Sequence, residues 1–280
     1  MKKTTPVRMR RKNVCRPWHV ATLLLLLIAF SGQTAAEEQS AETQNRIEAS
    51  GSFEYLSPHD AYGDWETVTA AFYRKERTDL TWFTELDAFR RKEGRGFLGM
   101  VGAYKDWTDV MYTYSALSSG TSSDYLPRIR ADHAFNIKFG PEKKFVWLIG
   151  GTWISYFTPH REMILSTGLT AYLDRWIPEY RIFRNVSSPG AVESYSHLLS
   201  LAYGQEKHQW TTIVAGYGKQ AYQAVELGTS SQISAKSLSL SLKHRMWLRD
   251  NYGIMAELSY LDLQGTYQKG GFLFGMFREF

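Results

Sequence analysis

Arg128-Ile129-Arg130-Ala131-Asp132-His133-Ala134-Phe135-Asn136-Ile137-Lys138-Phe139 is the stretch that decides the fold. Ile129, Ala131, His133, Phe135, Ile137 and Phe139 occupy one parity; Arg128, Arg130, Asp132, Ala134, Asn136 and Lys138 occupy the other. A period of two sends the two sets to opposite faces of an extended strand. The pattern recurs along the chain. Ile47, Ala49, Phe53 and Tyr55 alternate with Glu48, Ser50, Ser52 and Glu54; Leu238, Leu240 and Leu242 alternate with Ser237, Ser239, Ser241 and Lys243. Tyr252, Ile254, Ala256, Leu258 and Tyr260 oppose Glu257 and Ser259, while between residues 65 and 74 both faces carry apolar side chains. An all-β chain follows. Its apolar face is either the core of a soluble sandwich or the lipid-facing wall of an outer-membrane barrel whose polar face lines the lumen.

The N-terminus separates these two environments. Lys2, Lys3, Arg8, Arg10, Arg11, Lys12 and Arg16 precede an apolar run from Val20 to Phe30, and small and polar residues follow up to Thr34-Ala35-Ala36. This is the tripartite pattern of a secretory signal peptide, and its apolar run is too short for a spanning helix, which needs roughly 20 residues. The expected organisation is a signal peptide over residues 1–36, a polar leader over 37–45 and a barrel domain over 46–280. The whole chain has 33 Lys+Arg against 28 Asp+Glu. The signal holds seven of the bases and no acid, which leaves the mature part slightly acidic. A basic nucleic-acid-binding face is therefore not expected. Cys15, the one cysteine, precedes the apolar run, so the mature chain offers no thiol, disulfide or cysteine metal ligand.

Short polar links fall near Arg77-Thr78-Asp79, Asp106-Trp107-Thr108, Pro141 to Lys143, Asp174-Arg175, Glu206 to His208 and Arg249 to Asn251. Longer links are expected near residues 57–63, 91–96, 117–127, 186–193, 219–233 and 263–269, with a short one at Pro159. Such sorting fits tight periplasmic turns and larger outer loops. It gives an antiparallel transmembrane β-barrel of about 14 strands, or about 12 if two weak candidates merge. Phe272, Phe274, Met276 and the terminal Phe280 share one parity. A last strand of this kind is what the barrel-assembly machinery reads, although Arg278 departs from the usual aromatic or apolar residue. The expected location is the outer membrane of a Gram-negative cell, with outer-membrane lipid and the assembly machinery as partners.

Tyr62-Gly63-Asp64-Trp65, Tyr73-Arg74-Lys75, Phe89-Arg90-Arg91, Leu169-Thr170-Ala171-Tyr172, Trp176 and Tyr180-Arg181 resemble, in order and spacing, the YaiO family of outer-membrane β-barrel proteins. The resemblance runs from about Ile47 to Phe280, while Tyr104-Lys105-Asp106-Trp107 does not match the family pattern. It implies the fold and the location, and it carries no catalytic residue, metal or cofactor.

A hydrolase of this kind needs Ser and His to meet and to be oriented by an acid or amide. Ser196-His197 and Asp132-His133 are sequence neighbours, and neighbours on a strand point to opposite faces. No catalytic residue is expected. Glu48, Glu54, Arg74, Glu85, Asp87, Arg128, Arg130, Asp132, Lys138 and Glu257 are the candidate lumen-lining charges. They either line a water-filled passage or ligand site, or form ion pairs that plug a narrow barrel; their mixed signs weigh towards the second. Trp82, Trp147, Trp153, Trp210 and Trp247 read as belt or wall residues. The leading expectation is a non-enzymatic envelope protein, either a narrow channel or an accessory in surface-polysaccharide handling. A lipid or peptide hydrolase, and an adhesin-like barrel working through its outer loops, are the alternatives.

Overall fold

The computed structural model describes residues 44–123, 125–219 and 236–280. β1 (Gln44–Ser57) leads into a four-residue helix, α1 (His59–Tyr62), then β2 (Asp64–Arg77), β3 (Leu80–Arg91), β4 (Gly94–Asp106) and β5 (Met111–Gly120). β6 (Pro127–Phe139), β7 (Phe145–Tyr156), β8 (Arg161–Ala171), β9 (Trp176–Ser188) and β10 (Val192–Gln205) continue the meander. β11 (Gln209–Lys219), β12 (Lys236–Arg249), β13 (Tyr252–Leu263) and β14 (Tyr267–Glu279) complete fourteen strands among the described residues. Each pairs antiparallel with its sequence neighbours, and β14 pairs with β1 from Arg46↔Glu279 to Ser57↔Gln268, closing the barrel. Main-chain bonds of 2.8 and 2.9 Å between Asn45 and Phe280 finish the seam.

Closure is what a bilayer requires, because an open sheet edge would leave N–H and C=O groups without partners in hydrocarbon. Strands of about 13 residues, rising ~3.3 Å per residue and tilted ~40°, cover about 33 Å, enough for the apolar band. No helix among the described residues is long and apolar enough to cross a membrane. Leu86, Val101, Leu117, Leu199 and Leu258 are each 54–59% exposed on the outer wall, where the solvent is lipid.

β1 already opens at Gln44, two residues before the expected Arg46. The expected long links at 91–96, 186–193 and 263–269 are tight instead: β3 and β4 are separated by Lys92 and Glu93, β9 and β10 by residues 189–191, and β13 and β14 by residues 264–266. Polar residues interrupt the apolar pattern there, but ladder hydrogen bonds are made by the backbone and continue through them. Residues 58–63 and 121–126 remain the longer links on that rim. The link expected at 219–233 lies, beyond Lys219 at the end of β11, outside the described residues.

Candidate functional site

The register sorts every strand into an outward and an inward set. Glu48 stands opposite Ala71, which faces Glu85 on the next strand; Ser50 stands opposite Thr69, which faces Asp87. The barrel interior holds a chamber of about 510 Å³, lined by Glu54, Thr69, Glu85, Asp87, Arg91, Tyr114, Arg130, Asp132, Lys243 and Glu257 among others. Of the sequence candidates, Glu48, Glu54, Glu85, Asp87, Arg130, Asp132, Lys138 and Glu257 fall in the inward set.

Arg74 and Arg128 do not. On β2 the inward parity is that of Thr67, Thr69, Ala71 and Tyr73, so Arg74 lies on the outer wall opposite Trp82 and bonds Glu76 at 2.6 Å. Residues 65–74 are apolar on both faces, so alternation could not assign them. At Arg128 the β6–β7 register slips between Pro127 and Ile129. A bulge takes one residue out of the alternation, and exposed Arg128 donates to Ser155 Oγ at 3.4 Å on the outward set.

Most lumenal charges are neutralised locally. Lys269 Nζ lies 2.5 Å from Glu54, and Lys243 Nζ 3.4 Å from Glu257. Arg130 forms a two-point contact with Asp132 at 2.8 and 2.9 Å, and Asp132 also accepts from Thr152 at 2.6 Å. Glu48 takes Arg46 at 2.8 Å and Arg245 at 2.6 Å, the latter reaching from β12 past β13 and β14. Glu85 and Asp87 differ. They are successive inward residues of β3, Asp87 accepts from Thr69 at 2.6 Å, and neither has a cationic partner among the described residues.

Both ends of the chamber narrow. Towards the rim with the longer links, Leu56, Trp65, Leu261, Leu263 and Tyr267 fill one side, and Phe89, Leu98, Tyr125 and Leu126 another. Tyr125 and Leu126, just before β6, turn inward onto Phe89 and Leu98. They can do so because the opposing positions are glycines: a Cβ on Gly96 would stand 2.6 Å from Leu126 Cδ1, and one on Gly120 2.9 Å from Leu126 Cβ. Arg91 is held between Trp65 (3.9 Å) and Tyr125 (4.4 Å), and burial raises the Tyr125 phenol above its ordinary range, leaving it neutral to donate to Gly94 O at 3.3 Å. At the opposite end Trp247 packs edge-on against Phe277, and its Nε1 donates to Glu279 at 3.4 Å. Trp247 is thus an inward filler, whereas Trp82, Trp147 and Trp153 keep the outward parity.

Sequence reasoning missed Arg46, Arg91, Arg245 and Lys269 as inward charges; extending parity through each strand end would have found them. It also missed Glu162, fully buried and held by His160 Nε2 at 2.9 Å, Asn185 Nδ2 at 3.4 Å and the Tyr156 hydroxyl at 3.5 Å. The suspected hydrolytic pairs diverge. Ser196 is buried on the inward set, while His197 Nδ1 lies 2.8 Å from the Tyr180 hydroxyl on the outer wall. Asp132 turns in to Arg130, and His133 turns out to Ser115 at 2.8 Å. No cluster of His, Cys, Asp and Glu able to hold a metal occurs among the described residues.

A closed antiparallel barrel with an apolar outer wall and a charged lumen defines an outer-membrane β-barrel protein. Residues 44–223 match the YaiO membrane beta barrel domain, and the chain belongs to that family. β12 to β14 lie beyond the matched region and complete the same barrel. No curated protein sequence matches the chain. Among solved structures it is similar to the Acinetobacter baumannii outer membrane protein Omp33 (11% identity, TM-score 0.53, 84% of this chain and 98% of that one). It is also similar to a bacterial polysaccharide outer membrane secretin (10%, 0.52, 87% and 100%) and to the CymD monoaromatic hydrocarbon channel (7%, 0.52, 86% and 89%). At such identities the likeness is one of fold.

Proposed function

We propose that this protein is a narrow, non-enzymatic channel for small hydrophilic solutes, with a preference for cations. The observation that carries this reading is the chamber of about 510 Å³ in which Glu85 and Asp87 have no cationic partner among the described residues. A pore takes its charge preference from the bias of its lining, and here local ion pairs cancel most of the other charges. The inward fill around Arg91 keeps the passage narrow. The divergence of Ser196 from His197 supports a non-enzymatic role. On this reading the signal peptide is removed near Ala36, and the last strand, ending in Phe280, is the segment the assembly machinery binds. Planar-bilayer recording of the refolded protein tests the channel: discrete cation-preferring conductance is expected, and a sealed bilayer would refute it.

A further inference from the structure

The outward set carries an uneven charge at one rim. Arg90 on β3 stands directly opposite Arg95 on β4, and Lys219 on β11 directly opposite Lys236 on β12, all four exposed. Between these pairs, Arg128 and Arg161 flank Ser155: Arg128 donates to its hydroxyl at 3.4 Å, and Arg161 is its register partner on β8. Arg90 is paired with Glu66 at 2.8 Å. Arg95, Arg128, Arg161, Lys219 and Lys236 have no carboxylate partner among the described residues.

Like charges directly opposite one another destabilise a sheet, and this wall holds two such pairs at the same end. The opposite rim is arranged differently. Arg74 pairs with Glu76, Arg77 and Lys105 with Asp79, Lys143 with Asp109, and Lys144 with Glu142. Hydrogen bonds from Lys105, Lys143 and Lys144 hold the Asp79, Asp109 and Glu142 carboxyls below the usual range. Those five cations are paired within the chain, as Arg90 and Arg184 are at the first rim with Glu66 and Glu193, whereas Arg95, Arg128, Arg161, Lys219 and Lys236 are left for an anion from outside the chain.

Depth identifies that anion. Phe97, Trp153 and Tyr217 lie one same-face step further into the wall than Arg95, Ser155 and Lys219, about 7 Å along the strand. Outward aromatics mark the headgroup boundary, so the cations stand at the level of lipid phosphates. This rim bears the longer links at 58–63 and 121–126 and is therefore the outer one. Arg128 and Arg161 are one strand apart on either side, about 10 Å between backbones, a gap two guanidinium arms can close on a single phosphate. We propose that the outer rim docks the phosphate groups of the outer-leaflet glycolipid, with Arg128 and Arg161 at its centre and Arg95, Lys219 and Lys236 flanking them.

The test titrates the refolded barrel in detergent with bisphosphorylated lipid A, with its dephosphorylated form and with phosphatidylglycerol, counting bound lipid by native mass spectrometry. Wild type is expected to retain the bisphosphorylated glycolipid and release the other two. Arg128→Gln with Arg161→Gln should weaken binding about thirtyfold, the combined worth of two cations at an anionic surface. Arg74→Gln with Lys143→Gln, at the opposite rim, should leave it unchanged. Equal binding of phosphorylated and dephosphorylated glycolipid by wild type overturns the proposal without any variant. Equal binding of phosphatidylglycerol, or undiminished binding by the Arg128/Arg161 variant, overturns it as well.

Discussion

Leu199 lies midway along β10, points outward and is 58% exposed, with Tyr180 and Ala215 as its cross-strand neighbours. If that face meets hydrocarbon, Leu199→Arg places a guanidinium near the bilayer midplane, where arginine on the lipid face of a barrel costs about 2–4 kcal/mol. Gln205 shares the outward parity but sits at the end of the same strand, six residues on. That is ~20 Å along the strand and, at a tilt of ~40°, ~15 Å in depth, which brings Gln205→Arg to the interface and a cost of about 0–1 kcal/mol. Both variants add the same charge to the same face of one strand, so their difference isolates depth. Equilibrium unfolding in guanidinium, with the protein in phospholipid vesicles and tryptophan fluorescence as the signal, gives the two values by linear extrapolation. A Leu199→Arg penalty no larger than that of Gln205→Arg would refute a lipid-facing outer wall.

On β6, single cysteines at Ile129 and Ile137 should resist a membrane-impermeant thiol reagent, while cysteines at Arg130 and Lys138 should react from the lumen; equal labelling would contradict the register. Residues 37–280 contain no native thiol to interfere. N-terminal sequencing of the membrane fraction should read from near Glu37, and soluble periplasmic protein or retention of Val20 to Phe30 would refute export by a cleaved signal. Purified protein in outer-membrane lipid should show no phospholipid or lipid A deacylation. Activity lost in both Ser196→Ala and His197→Ala would place a hydrolase first, because losing a true nucleophile or base costs several orders of magnitude in rate.

The barrel was legible because a wall between lipid and water imposes a period of two on every strand that crosses it. Ile129 to Phe139 and Leu238 to Leu242 carry that period cleanly, and the register places them as alternation expects. Arg74 was not legible, since Phe72 and Tyr73 are both aromatic and only the pairing with β1 and β3 shows which of them faces the lumen. Arg128 was misplaced by a bulge, which shifts parity without a mark in the hydrophobic pattern. The links at 91–96 and 186–193 looked long because strand ends beyond the apolar band are free to be polar while their backbones stay paired. Parity gives the face of a residue but not its partner. The Arg245–Glu48 bridge and the Trp65–Arg91–Tyr125 stack depend on which strands meet across the lumen, and a single sequence does not encode that locally.

The channel reading meets its most direct test in single-channel recording of the refolded full-length mature chain in planar bilayers with asymmetric salt. The expected result is a small, discrete conductance with a reversal potential on the cation side. Glu85→Gln with Asp87→Asn should move that potential towards zero, and Tyr125→Ala should enlarge the conductance by thinning the fill around Arg91. A bilayer that stays sealed with folded barrels inserted, or a conductance that prefers anions and ignores Glu85 and Asp87, would contradict it.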